Sequence, residues 1–259
     1  MSFDADFSYA FYEALVRKVQ ESYEICPLRD VNADIVIAAD DVPRAYWRHD
    51  IDVCLSAALQ MAKLEANLGI SSTFMFIPNS LLYNISSSEG RDILCQIRAL
   101  GHEVALHFDI SETGLSEADC EDELRLIDEI VRQAEFIGEI VGEDVKSVSF
   151  HRPLQMFIRG PSNLGGLINA YAAELMSFYI SDSKGGWRNG NPLEVVSAAT
   201  TNVAQILTHP VWWAPTHLSA KETLKNFWET SSVGLSKTGS DDLAEKIRKT
   251  VPGVTLQLV

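Results

Sequence analysis

Residues 45–52 read Ala45-Tyr46-Trp47-Arg48-His49-Asp50-Ile51-Asp52, an apolar run that ends in two carboxylates spaced by one residue. Strand side chains alternate with a period of two, so Arg48, Asp50 and Asp52 share one face and Trp47, His49 and Ile51 the other. Two like charges at a strand end repel each other. A divalent cation on one carboxylate relieves that repulsion and leaves the other free as a base. Helix-forming sequence follows at once, with Leu55, Ala58, Leu59 and Ala62 at helical spacing and Gly69 as the stop.

The same strand-then-helix pattern recurs outward from this stretch. Ser72-Thr73-Phe74-Met75-Phe76-Ile77, bounded by Pro78, is a second strand, and 89–99 is a helix that stops at Gly101. Glu103–His107 is a third strand and Val145–His151, stopped by Pro153, a fourth; a long helix over 120–141 lies between them. Residues 154–171 are Gly-rich and read as a loop over one end of the barrel. Leu175–Ile180 and Ala204–His209 read as further strands, 219–229 and 241–249 as helices. Alternation of this kind implies a parallel sheet with crossover helices, either closed as a barrel or open, and its polar clusters lie at the C-terminal ends of strands, where such folds carry their sites.

Before residue 45, Phe7, Phe11, Ala14, Leu15 and Val19 mark a helix over 7–24, and 27–44 is a connecting segment with one β-like run, Ile35-Val36-Ile37. The chain therefore divides into an N-terminal helix and connector, 1–44, and a barrel, 45–259. A hydrophobic share of 46% and a charged share of 22% over 259 residues allow a sizeable core. A formal charge of −15 argues against nucleic acid and anionic membranes as partners. Cys26, Cys54, Cys95 and Cys120 have no C-x-x-C spacing and read as reduced thiols. The first residues carry no basic or apolar export segment, and no apolar run nears the ~20 residues of a membrane span, so a cytoplasmic location is expected. Nothing in the sequence speaks to oligomeric state.

Parity orients three strands. With Val104 and Leu106 facing the helices, Glu103, Ala105 and His107 face inward; with Val148 and Phe150 outward, Ser147, Ser149 and His151 face inward. Asp50, Asp52, His107 and His151 are thereby sent to a common point. One carboxylate and two imidazoles, from Asp52, His107 and His151, make a three-ligand set with open positions. Zinc tolerates such a set, and iron, cobalt or nickel also fit it. Metal-activated water is a nucleophile near neutral pH, with Asp50 placed to take its proton and Arg48 to orient a carboxylate. His102, after Gly101, reads as a solvent-facing turn residue. His209, fixed by Pro210, is positioned to protonate a leaving amine. Asp182 either orients His209 or binds substrate; Trp187 and Trp212 are aromatics for the barrel mouth.

These motifs occur in order: Arg-His-Asp-Ile-Asp (48–52), Leu-Gly-His-Glu-Val-Ala-Leu-His (100–107), Ser-Phe-His-Arg-Pro (149–153), Ser-Asp-Ser (181–183) with Trp187, and Thr-His-Pro-Val-Trp-Trp (208–213). As an ordered set they resemble the polysaccharide deacetylase superfamily, the NodB homology or carbohydrate esterase family 4 fold, and look closest to its WbmS-like branch. The resemblance implies a distorted (β/α)7 barrel that hydrolyses an N- or O-acetyl group with a divalent metal, zinc foremost. It implies Asp50 as base, Asp52 as metal ligand, Arg152 as the arginine that orients the base and His209 as acid. Asp182, Trp187 and Trp212 are expected at the substrate. The family's second motif supplies two histidines spaced H-x-x-x-H; here His107 is followed by Ser111, so His151 or Asp109 completes the metal site, or the site is degraded. The expected substrate is an acetamido sugar or related small molecule. The alternatives are a non-catalytic glycan- or metabolite-binding barrel and a C–N hydrolase of a non-sugar amide.

Overall fold

The computed structural model describes residues 6–31, 42–115, 121–233, 235 and 237–253. The run Ile35-Val36-Ile37 and Cys120 lie outside these residues. The sheet contains β1 (Glu24–Cys26), β2 (Arg44–Ile51), β3 (Thr73–Phe76), β4 (Glu103–Phe108), β5 (Ser147–Phe150), β6 (Asn163–Leu164), β7 (Leu167–Asn169), β8 (Tyr179–Ser181) and β9 (Val203–Thr208). Its order is β6-β7-β5-β4-β3-β2-β9-β8, with β1 added beside β2. Every pairing is parallel except that of β6 with β7.

The sheet curls until its two ends approach each other. Gln205, inward on β9, donates through Nε2 to the carbonyl of Ala170, immediately after β7, at 2.7 Å. This curled, mostly parallel sheet with helices around it has the parallel pairing that the alternation predicts and the α/β distorted-barrel class that the resemblance implies. The central strands β2 to β5 are buried almost throughout because crossover helices cover one face and the barrel interior the other.

The helices are α1 (Tyr9–Gln20), α2 (Leu55–Asn67), α3 (Ser88–Ala99), α4 (Glu123–Val141), α5 (Pro192–Ser197), α6 (Ala220–Ser231) and α7 (Lys237–Thr250). Helix α4 starts where the Asp122 carboxylate accepts from the amides of Leu124 and Arg125, and it stops at Gly142, whose φ of 72° suits glycine. Leu126, Ile130, Ala134, Ile137 and Val141 form its buried stripe. Helix α1 buries Tyr12, Leu15, Val16 and Val19 and is capped by Ser8. No described helix is long and apolar enough to cross a membrane.

Three local readings need correction. Residues 173–176 form a 3-10 turn, so the strand expected over 175–180 is confined to Tyr179–Ser181. The glycine-rich stretch 154–171 holds the β6–β7 hairpin, and β7 joins the sheet beside β5. His102 is buried, not solvent-facing: its Nε2 donates to the Ala62 carbonyl and its Nδ1 accepts from the Ser72 amide. Burial holds that imidazole below its ordinary pKa, partly opposed by Glu65.

Candidate metal centre

The ends of β2, β4 and β5 bring three potential ligands, one carboxylate and two imidazoles, to one point. A carboxylate oxygen of Asp52 and one nitrogen each of His107 and His151 all lie within 4.8 Å of one another. Asp52 Oδ1 is 3.2 Å from His107 Nε2 and 3.1 Å from His151 Nδ1. Adjacent strands in register explain the convergence. His107 pairs with Ser149 across β4 and β5, which sets His151 one inward position further along.

Proton accounting tests whether a cation fits. The Ser149 hydroxyl donates to Asp50 Oδ1 at 3.1 Å, and Ser149 Oγ lies 2.6 Å from His107 Nδ1. A hydroxyl has one proton, so His107 must donate from Nδ1. In the neutral ring Nε2 then carries a lone pair, and that lone pair faces an Asp52 oxygen. Two acceptors this close need a proton or a cation between them. A carboxylate with two imidazoles is also a donor set that zinc accepts. The residues present fit a divalent metal.

Asp50 sits beside this cluster, held by Arg48. The Arg48 Nη1 donates to Asp50 Oδ1 and Oδ2 at 2.5 and 2.6 Å, and its Nε donates to Gln205 Oε1 at 2.9 Å. The guanidinium also lies over the Tyr171 ring, 4.9 Å from the centroid. Burial pushes the Asp50 carboxyl up, but Arg48 and then His107 outweigh it and keep it ionised below the ordinary carboxylate range. Asp52 is likewise held down, burial being overcome first by His151 and by its bond to His107. Burial lowers the His151 imidazole and Asp52 more than restores it, so its pKa is raised.

Across the site, His209 turns Nε2 toward Asp52 Oδ2 at 3.8 Å and Nδ1 toward Asp182 Oδ1 at 2.6 Å. Burial opposes its charge, yet Asp182 dominates and pushes its pKa up to about 9. A cavity of about 410 Å³ opens over these groups, with Tyr171, Tyr179 and Trp212 in its wall.

Several expected roles change. Asp182 is 0% exposed, and its oxygens accept from the His209 amide and the Trp213 indole as well as facing the His209 ring, contacts that position His209. Arg152 does not orient Asp50; it is exposed and donates to the Lys249 carbonyl at the end of α7, while Arg48 holds Asp50. Trp187 packs edge-on against Trp213, at 6.4 Å between centroids, and is not part of the cavity wall. Trp212 does line it. Asp109 lies outside the cluster, with Oδ1 accepting from the amide and hydroxyl of the exposed Ser111. Gln205 and Tyr171 were not anticipated. Only the inward parity of Gln205 between Ala204 and Ile206 signalled it, and Tyr171 carries no local signal.

No family model matches the chain, and no curated protein matches it. Solved structures that resemble it include a CE4 family pseudoenzyme from Bacillus anthracis at 13% identity and a TM-score of 0.39, covering 73% of this chain and 61% of that one. The chain thus spans less than two thirds of that protein's length. A peptidoglycan deacetylase from Bacillus subtilis matches at 13% identity and a TM-score of 0.40, covering 82% of this chain and 98% of that one. A family 4 acetyl xylan esterase from Clostridium thermocellum, in complex with a cobalt ion, matches at 15% identity and 0.39, covering 78% and 91%.

Proposed function

We propose that the chain is a metal-dependent hydrolase of the deacetylase type, removing an acetyl group from an acetamido sugar or related small substrate. The observation that carries this reading is the meeting of Asp52, His107 and His151 within 4.8 Å, flanked by an Arg-held carboxylate and an Asp-held imidazole. Asp52, His107 and His151 would hold the metal, and zinc suits the donor set. When bound, the ion would supply Lewis-acid polarisation of the acyl oxygen and make water acidic enough to attack near neutral pH.

The chain's own residues account for the remaining steps. Asp50, ionised and fixed by Arg48, accepts a proton from the water that adds to the acyl carbon. His209, charged at neutral pH through Asp182, gives its proton to the departing nitrogen as the C–N bond breaks. Acetate and a free amine result, with water's oxygen on the acetate. Trp212 and Tyr171 wall the cavity and limit solvent around the acyl group.

Metal analysis of the purified protein combined with acetate release from acetylated amino sugars tests the reading. Stoichiometric zinc that disappears in Asp52→Ala and His107→Ala, with acetate release lost in parallel, is the expected result. Metal-free protein, with both variants as stable as the parent, would favour a barrel that binds without turnover. Ammonia in place of acetate would assign a different C–N hydrolysis.

A further inference from the structure

We propose that the substrate carries a phosphoryl group, bound in a second compartment next to the acetyl site by Lys184, Arg188 and Arg159. This rests on the hydrolase reading above and names the class of molecule that reading leaves open.

The cavity over Asp50 and Asp52 continues into a neighbouring one of about 480 Å³. The two share Met176, Tyr179, Ser183 and Arg188, so Arg188 stands at the junction. Each is of a size that small-molecule sites use, roughly 300–1,000 Å³. One therefore suits an acylamino ring and the other a substituent.

The charge distribution runs against that of the whole chain. The sequence has 36 acidic and 21 basic side chains. Yet among the described residues the carboxylates lining the first cavity are Asp50 and Asp52, and none lines the second. Its charged lining is instead Arg159 and Arg188, set among serines and Asn189, while Lys184 lines the first cavity. Among the described residues, no ion pair engages Lys184 or Arg188. Arg159 has one weak tie, at 3.4 Å, to the Met176 carbonyl. A protein of charge −15 repels anions at long range, so a local group of unpaired cations is what an anionic substrate requires. A phosphoryl group brings ~1.5–2 negative charges and three acceptor oxygens, which matches several cations better than a single carboxylate does.

Backbone conformation adds an independent sign of construction. Arg159 (φ 53°) and Lys184 (φ 63°) are the non-glycine residues with left-handed backbone among those described, and each is a cation on this cleft. Non-glycine residues in that region persist where surrounding structure over-determines them, commonly at ligand clamps. Lys184 lies in the turn that the Gly185 amide closes by donating to the Asp182 carbonyl at 3.0 Å, and a Cβ on Gly185 would approach the Ala220 methyl to 2.6 Å. Trp212, 3% exposed, lines the first cavity, and its Nε1–H has no acceptor among the described residues.

Binding of N-acetylglucosamine, its 1- and 6-phosphates and N-acetylmuramic acid tests the proposal, read by tryptophan fluorescence on the zinc-loaded Asp50→Asn protein. Acetate release by the parent enzyme is measured alongside. We expect a phosphate to bind at least ~10-fold more tightly than the neutral sugar, with that advantage fading from about 0.05 to about 0.5 M salt. In Lys184→Gly/Arg188→Ala the advantage should collapse toward unity. Glycine suits the Lys184 backbone and Arg188 is exposed, so the fold is not at risk. Equal affinity for neutral and phosphorylated sugars, or a preference that survives the double substitution, would overturn the proposal. N-acetylmuramic acid binding as tightly as the phosphates would overturn the phosphoryl assignment. Cation-dependent phosphate binding without acetate release would remove the hydrolase reading and leave the anion site standing. Acetate release with equal kcat/KM for neutral and phosphorylated sugars would do the reverse.

Discussion

Asp182 Oδ1 approaches His209 Nδ1 to 2.6 Å from a position with no exposure to solvent, on the opposite side of the ring from Asp52. The contact decides the protonation state of His209: burial pushes the imidazole down, Asp182 pushes it up, and the balance lies at about 9. Asp182→Asn should lower that value and move the alkaline limb of the kcat–pH profile down by at least ~1 unit. Stability carries the same signature. A histidine with a raised folded pKa stabilises fully below its unfolded value of ~6.5, and that contribution is lost as pH rises toward 9. Over this window the parent's denaturation midpoint should fall relative to that of the variant. An alkaline limb that stays in place in Asp182→Asn would remove His209 as the acid.

Asp50→Asn keeps the shape of the side chain but deprives water of a proton acceptor. Asp52, His107 and His151 are untouched, so zinc should remain stoichiometric while turnover falls by ~10² or more. Activity assays and metal analysis on the same preparation check both halves. Unchanged turnover would take Asp50 out of the reaction.

The sequence revealed the site where residues obey strand parity, and failed where tertiary packing decides. Asp50, Asp52, His107, Ser149 and His151 lie on regular strands or one residue past them, so a period of two was enough to send them to one face. Motif position points to Arg152 as the arginine beside Asp50, but Arg48 Nη1 donates to both Asp50 oxygens because Arg48 shares a strand face with Asp50, two residues on. Burial is invisible in a sequence, so orienting His209 and binding substrate both stay open for Asp182 until its contacts to His209 and Trp213 are seen. His102 looked exposed because it follows a turn glycine, but the crossing of α2 over the sheet covers it. Tyr171 and the cations Lys184 and Arg188 come from irregular segments, where no periodicity exists to place a side chain.

Ser149→Ala tests the proton accounting. The hydroxyl is the link between Asp50 and His107, and it obliges the imidazole to present Nε2 to Asp52. Without it the ring is free to take either tautomer and to rotate. Loss of such a supporting hydrogen bond typically weakens metal affinity by ~10–100-fold, measurable by competition with a chromogenic chelator. Affinity equal to the parent's would show that Ser149 does not fix the ligand.

Glu65→Gln examines a second buried cluster, on the opposite face of β2 from the metal site. The Glu65 carboxylate accepts from the Tyr12 hydroxyl, from Ser72 Oγ at 2.5 Å and from His49 Nε2 at 3.0 Å, while His49 Nδ1 meets Thr208 Oγ1 at 2.9 Å. It thereby ties α1 and α2 to His49 and, through it, Thr208, the strand residues that immediately precede Asp50 and His209. Burial raises the Glu65 carboxyl, but His49 and then His102 and Ser72 outweigh it and leave it lowered. A lowered carboxyl stabilises above its unfolded value of ~4.3, and the contribution is lost as pH falls through the folded one. Glutamine turns an amide toward groups that are themselves donors, so the variant should lose ~3 kcal/mol at pH 7, on the scale of breaking a buried pair. Below pH 4 the parent loses this contribution too, and the two denaturation midpoints should converge. A difference that stayed constant from pH 7 to pH 3 would show that the ionised carboxylate is not what holds the cluster.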